Sequence, residues 1–480
     1  MFMPHPCRKA FVVLFLFCTA ISPGHAQSPY DAWPNGPSAD ADYFPVGVWL
    51  QDPNLAPQYA AVGINLYVGL WQGPTQAQLD ALSSAGMRTI CTQNAVGLQN
   101  WDNPVIAGWL QRDEPDNIPH VPLDDLLDLY AHMQRFDPTR PVLVNFGQGV
   151  ANRSFNGRGV QYSYYRQAVQ AGDIVSFDIY PVSSLHSSDM GYVAAGVDSL
   201  VGWTGGTGLV WNFIETTRIR SSNRFKPTPQ QVRAQVWLSL IHGSRGILYF
   251  VHEWEPRFDA ARLLNDPPML EAIGAINAQL HRLAPVLNSP GSRVTVESSS
   301  QDVPVDAATR MHDGYIYIFA APRLPGATRA TFQLDALPPT ATAEVIDENR
   351  TIDVIDGHFA DDFADYQVHL YRIALPTATA VMGNTSTPPP PSLAPNHPNP
   401  FNGSTTIHFH LPAATRLQLA VFNLAGQQIA RLADGFWPAG QHTVRWDGRR
   451  TDGIPAASGV YLYRLQTEDL VQTRRLLLLR

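Results

Sequence analysis

The amino-acid sequence predicts an α/β fold, a (β/α)8 barrel, with β domains appended at its C-terminal side. Three observations predict it. Eight short apolar or alternating runs, each bounded by turn residues, alternate with helix-compatible stretches across residues 44–254, the count and span of a (β/α)8 barrel of roughly 250 residues. From about residue 293 to 373 the apolar period falls to two with no long helical stretch between strands, which reads as a small β-sandwich. Four consecutive prolines, Pro388 to Pro391, then precede another set of short strands. Proline removes backbone donors and favours extended polyproline II, so this stretch is a semi-rigid spacer.

In chain order, the first domain begins with runs at 44–50, 64–71, 88–94 and 105–110, followed by 141–147, 173–181, 208–215 and 243–254. Helical candidates lie at 75–85, 123–136, 161–171 and 229–241. A doubly wound open sheet would also alternate, but no glycine-rich nucleotide loop follows the first run. The middle region gives strands at 315–319, 330–334, 344–346 and 367–373. Beyond the prolines, strands at 405–409, 417–423, 440–446 and 459–466, with turns at Asp447-Gly448 and Asp452-Gly453, fit a C-terminal immunoglobulin-like β-sandwich. The expected domains are a leader over 1–26, the barrel over 27–288, the β-sandwich over 289–375, a Pro-rich linker over 376–398 and the C-terminal module over 399–480.

The leader sets the expected compartment. Arg8 and Lys9 precede an apolar run from Ala10 to Ile21, and Gly24-His25-Ala26 places small residues at −3 and −1 of a cleavage site. The run is too short to span a bilayer, which needs roughly 20 apolar residues. We therefore expect a secreted or cell-surface protein with no membrane span after signal cleavage. Cleavage removes Cys7 and Cys18 and leaves Cys91. One thiol forms no internal disulfide, and its apolar setting reads as a buried strand residue.

Composition narrows the partners. Of 480 residues, 45% are apolar and 15% charged, which supplies real cores and excludes wholesale disorder. The formal charge of −8 lacks the basic excess that nucleic acid or an anionic membrane recruits. Eleven Trp and 17 Tyr offer flat apolar faces suited to sugar rings.

Barrel enzymes place reacting groups at the C-terminal strand ends. The fourth run ends in Arg112-Asp113-Glu114-Pro115 and the seventh in Trp211-Asn212-Phe213-Ile214-Glu215. Glycosidic hydrolysis needs one carboxylic acid to protonate the departing oxygen and a second carboxylate to attack or to activate water. Trp49, Trp71 and Trp254, at strand ends, are candidate stacking platforms, whereas Trp237 lies mid-helix and reads as core. Asp178 shares a strand face with Tyr180 and is placed to bond a sugar hydroxyl or an active-site neighbour. His242 and His252 flank the eighth run without a zinc-spaced partner pair, so neither metal nor cofactor is expected. A metal-dependent use of His252 or Glu253 would show as chelator sensitivity.

Gly108 to Pro115 and Phe177-Asp178-Ile179-Tyr180-Pro181, with the glutamate ending the seventh run and the aromatic ending the eighth, resemble clan A glycoside hydrolases over residues 43–285. The resemblance implies a retaining hydrolase of β-linked glycans, with Glu114 as acid/base and Glu215 as nucleophile. It further implies Tyr180 beside the nucleophile and Trp254 as a subsite floor. Asp113 stands where most clan members have asparagine, which keeps a noncatalytic glycan-binding or adhesion protein as the alternative. The tail, with Pro398-Asn399-Pro400-Phe401-Asn402-Gly403 and Ser458-Gly459-Val460-Tyr461-Leu462-Tyr463, resembles type IX secretion sorting domains and flagellar-hook-cap immunoglobulin-like modules. That resemblance implies secretion machinery as a partner.

Overall fold

The computed structural model describes residues 28–375 and 392–479, apart from 118, 153–161, 207, 220–224, 256, 295, 335–336, 412–414, 424–425, 438–439, 452–453 and 468–470. The expected leader, the proline run and the Asp452-Gly453 turn lie outside these residues. The chain divides into two compact units, up to Ala378 and from Thr379 onward.

The first unit opens with eight parallel strands closed in sequence order into a barrel. They are β1 Val46–Trp49, β2 Leu66–Val68, β3 Arg88–Cys91, β4 Ile106–Asp113, β5 Val142–Phe146, β6 Ile174–Asp178, β7 Leu209–Glu215 and β8 Ile247–Phe250. Each falls within or overlaps a predicted run. Inward residues, among them Leu66, Val68, Ile90, Leu143, Trp211 and Leu248, fill the barrel as one cluster. Outward residues such as Val142, Val144, Val210 and Tyr249 form the layer beneath the helices. Cys91 belongs to that buried layer, and burial pushes its thiol up to about 12.

The helices are α1 Ala56–Ala61, α2 Gln76–Ser84, α3 Ala95–Gln99, α4 Leu123–Phe136, α5 Tyr162–Ala168, α6 Gly191–Trp203, α7 Pro229–His242, α8 Pro267–Arg282 and α9 Ala284–Leu287. Local chemistry fixes their ends. Thr75 with Gln78, and Thr228 with Gln231, form reciprocal capping boxes, satisfying N-terminal donors that a helix cannot pair itself. Gly243 ends α7 at φ +113, a left-handed position where a side chain is disfavoured. Trp237 of α7 is fully buried, as its mid-helix position predicts, and meets Phe319 at 5.0 Å.

A buried cation locks the N-terminal end of the barrel. Arg140 donates from Nε to the Ile106 carbonyl, from Nη1 to Asp137 and from Nη2 to the Asn103 carbonyl. Arg140→Leu leaves those acceptors without it, and chemical denaturation is expected to show a loss of about 3–5 kcal/mol. A change below about 1 kcal/mol would show that the acceptors find other partners.

The same unit continues into nine strands: β9 Arg293–Val294, β10 Val296–Ser298, β11 Val305–His312, β12 Tyr315–Pro322, β13 Thr328–Gln333, β14 Thr340–Val345, β15 Arg350–Ile355, β16 His358–Phe363 and β17 His369–Ala374. They form one antiparallel sheet in the order β10-β13-β16-β15-β14-β17-β12-β11-β9. Phe332, Phe359 and Tyr371 centre its own core, while Phe319, Ala321 and Leu370 join the barrel's outer core. This is the predicted β-sandwich region.

The second unit has β18 Ser392–Leu393, β19 Thr405–Leu411, β20 Thr415–Asn423, β21 Gln428–Trp437, β22 Gly440–Trp446, β23 Gly459–Thr467 and β24 Val471–Leu478. Sheets β18-β19-β22 and β21-β20-β23-β24 enclose Ile407, Phe409, Leu419, Trp446, Tyr463 and Leu476, an immunoglobulin-like sandwich.

Candidate active site

The C-terminal strand ends surround a cleft of about 1120 Å³. Trp49, Trp71, Asp113, Glu114, Asp178, Tyr180 and Trp254 all line it, so the fold gathers seven of the eight candidate residues in one place. Trp71 and Trp254 are exposed, as stacking platforms must be, and Trp49 is partly buried against Phe213. The aromatic wall extends further than the sequence shows. Phe250 meets Tyr180 at 5.1 Å and His252 at 5.1 Å, and Phe258 meets Trp254 at 4.9 Å.

Five polar residues at the strand ends, Asp113, Glu114, Asn145, Asp178 and Tyr180, form the chemical centre. Asn145 of β5 donates to Asp113 at 3.0 Å and to Asp178 at 3.3 Å. Tyr180 donates its hydroxyl to Asp178. Glu114 hydrogen-bonds Asp178 and accepts from Asn117 Nδ2. An ionised carboxylate only accepts, so the Glu114–Asp178 contact requires one shared proton. Burial, followed by the Asp113 and Asp116 charges, holds Glu114 above the usual carboxylate range. Burial and then the Glu114 charge raise Asp178 well above it. Asp113 is also pushed up by burial and drawn back by Asn145.

The backbone aims Glu114. Its φ of +42 is left-handed, an uncommon state for a residue with a Cβ, at a strain of about 1–3 kcal/mol. Its N–H donates to the Asn145 carbonyl at 2.8 Å and its carbonyl accepts from the Asn117 N–H at 3.0 Å. The chain thus turns at once after β4.

Glu215 departs from the expectation. It shares a strand face with Phe213, a cleft residue, yet it has no exposed surface and does not line the cleft. Its Oε1 accepts from the Val182 N–H at 2.8 Å and from Gln235 Nε2 at 3.2 Å, and Oε2 accepts from the Ser183 N–H at 2.8 Å. Consecutive amides of the turn after β6 close over the carboxylate. Glu215 therefore anchors the turn that carries Tyr180, and as it stands it has no approach to a substrate.

His252 is likewise held for structure. Gln51 Nε2 donates to its Nε2 at 2.7 Å, and burial lowers its proton affinity, so the ring is neutral. The Glu253 carboxylate is paired with Arg218 at 3.0 Å and lies 3.5 Å from Arg262. Among the described residues, no three His, Cys, Asp or Glu are placed to hold a metal ion.

Reading the sequence alone misses Asn145, Asn117, Asp116 and the Phe250–Phe258 wall. An asparagine inside the apolar Val142–Phe146 strand is the one signal available, because a polar strand residue near a barrel mouth needs a partner.

Fold and cleft together define a parallel eight-stranded barrel with an appended antiparallel sheet and a C-terminal immunoglobulin-like module. A family model described as the FlgD Ig-like domain matches residues 397–469. Comparison with curated proteins finds no match. Among solved structures, the chain is similar to an alpha-amylase from Geobacillus thermoleovorans complexed with acarbose. That similarity has 11% identity and a TM-score of 0.47, over 70% of this chain and 99% of that chain. A maltogenic alpha-amylase from Thermotoga neapolitana gives 9% identity and a TM-score of 0.46, over 70% and 99%. A GH30 endoxylanase from Clostridium papyrosolvens gives 13% and 0.41, over 69% and 96%. Similarities of this size carry nothing about activity.

Proposed function

We propose that the protein is a glycoside hydrolase, and the observation that carries the reading is the pair of facing carboxyls, Glu114 and Asp178, in an aromatic-walled cleft. The pair keeps one proton between its carboxyls, and Glu114 gives it to the departing glycosidic oxygen. Asp178, ionised while the proton rests on Glu114 and steadied by Tyr180 and Asn145, attacks the anomeric carbon in the place the sequence assigns to Glu215, a course that requires the bound sugar to part the two touching carboxyls to the roughly 5–5.5 Å of a retaining pair. Glu114 then takes a proton from the water that releases the sugar, and the course is net retention. Asp113 accepts from a sugar hydroxyl. The linkage is read as β on the resemblance of Gly108 to Pro115 and Phe177 to Pro181 to clan A enzymes. The C-terminal module is read as the address for export or surface attachment.

The closure of Glu215 favours a second reading, a barrel that binds glycan without cleaving it. Reducing-sugar release from β-glucans, mannans, galactans and xylans separates the two. Cleavage with the product's initial anomer retained by NMR supports the hydrolase. Tight binding with no release on any of them supports the noncatalytic reading.

A further inference from the structure

We propose that Asp116 is the positioning residue of Glu114, fixing the turn that aims the acid and keeping a negative charge behind it. The inference rests on the reading of Glu114 as the acid. Asp116 is buried, two residues beyond Glu114 and outside the cleft lining. Its Oδ1 accepts from the Gly147 N–H at 2.9 Å and its Oδ2 from the Tyr165 hydroxyl at 2.7 Å. Tyr165 in turn stacks on Trp203, with rings 5.4 Å apart and 9° from parallel.

The glycines show how closely these parts fit. A Cβ on Gly147 would lie 3.0 Å from Glu114 Oε1, so the backbone that Asp116 holds is also the surface against which the Glu114 carboxyl rests. A Cβ on Gly149 would lie 2.2 Å from the Tyr165 oxygen, in the space its hydroxyl occupies. Trp203, Tyr165, Asp116 and Gly147 thus form a continuous brace from α6 to the acid. Among the described residues, the titratable groups facing Glu114 are Asp113, Asp116, Asp178 and Tyr180. Tyr164 and Tyr165 face Asp116 from α5. A charge fixed in this position disfavours a second charge on Glu114, which a proton donor requires.

Two variants test this with opposite expected signs. Asp116→Asn keeps an acceptor for Gly147 and turns an amide toward the Tyr165 oxygen, so the shape is kept and the charge lost. Tyr165→Phe keeps the charge and removes the hydroxyl that donates to it. The readout is labelling of Glu114 by a water-soluble carbodiimide with glycine ethyl ester, located by peptide mass mapping across a pH series. It needs no turnover. The midpoint should fall by roughly one pH unit in Asp116→Asn and rise in Tyr165→Phe. An unmoved midpoint in Asp116→Asn, or a shift of the same sign in both variants, overturns the proposal. Should Asp116→Asn not fold, an unmoved or lowered midpoint in Tyr165→Phe alone overturns it. Opposite shifts in a protein that cleaves no glycan uphold the brace and sink the hydrolase reading instead.

Discussion

Asp178→Asn is expected to abolish turnover and to stabilise the first unit at the same time. A nucleophile or acid/base removed from a glycosidic mechanism lowers kcat by at least about 10²–10⁴-fold, and Glu114→Gln should fall in the same range. The stability effect has its origin in the proton. Burial and the Glu114 charge raise the folded-state affinity of Asp178 well above that of an unfolded aspartate. A carboxyl raised in this way binds its proton more tightly in the folded state. Its favourable contribution is complete below the unfolded value near 3.9 and is lost as pH rises through the folded value. At neutral pH the wild type is on the unfavourable side of that window. Asparagine carries no such charge, and its amide can donate to Glu114 while its oxygen accepts from Tyr180 and Asn145. Thermal unfolding across pH 4 to 8 should show Asp178→Asn more stable at neutral pH by on the order of 1 kcal/mol, with the gap closing toward acid. A variant that loses both activity and neutral-pH stability would show that Asp178 is a structural residue and not a charged group held under strain.

The barrel was legible because its signals are local and repeated. Every strand needs an apolar run, and the outward layer of β5, β6 and β7 is rich in valines such as Val142, Val144, Val175 and Val210. Several strands that escaped sequence reading pair with their immediate neighbours in the chain but lack a clean apolar alternation. In β15 and β16, Arg350 pairs in fork geometry with Asp361, at 2.9 and 2.7 Å, and such charged residues break the apolar alternation that marks a strand. In β24, Arg474 and Arg475 do the same. The helix Pro267–Arg282 was missed despite its apolar stripe of Met269, Ile273, Ile276 and Leu280, spaced by three and four residues. At the site, residue types at strand ends pointed to the cleft aromatics, Asp113, Glu114, Asp178 and Tyr180. They could not show where a carboxylate turns once the strand ends, because that depends on which loop offers amides to it. Asp116 and Asn145 are legible only when β4, β5 and α5 are brought together.

Glu215→Gln carries the other large effect, and it should appear in folding more than in chemistry. The wild-type carboxylate presents an acceptor oxygen to each of two consecutive amides, Val182 and Ser183. Glutamine has one oxygen, so one amide must face an NH₂ group, donor against donor, in a site with no exposed surface. Leaving a buried donor unsatisfied costs about 1–3 kcal/mol. The turn it secures starts at Tyr180, where the Ser184 and Leu185 N–H groups both return to the Tyr180 carbonyl. Loosening that turn should misplace the hydroxyl that steadies Asp178, and kcat of the folded fraction should fall by about tenfold, well short of the loss in Asp178→Asn. Denaturant unfolding beside kcat settles the assignment. A Glu215→Gln protein of unchanged stability whose turnover falls as far as that of Asp178→Asn would return the nucleophile to Glu215 and require the 182–183 turn to open before substrate is attacked.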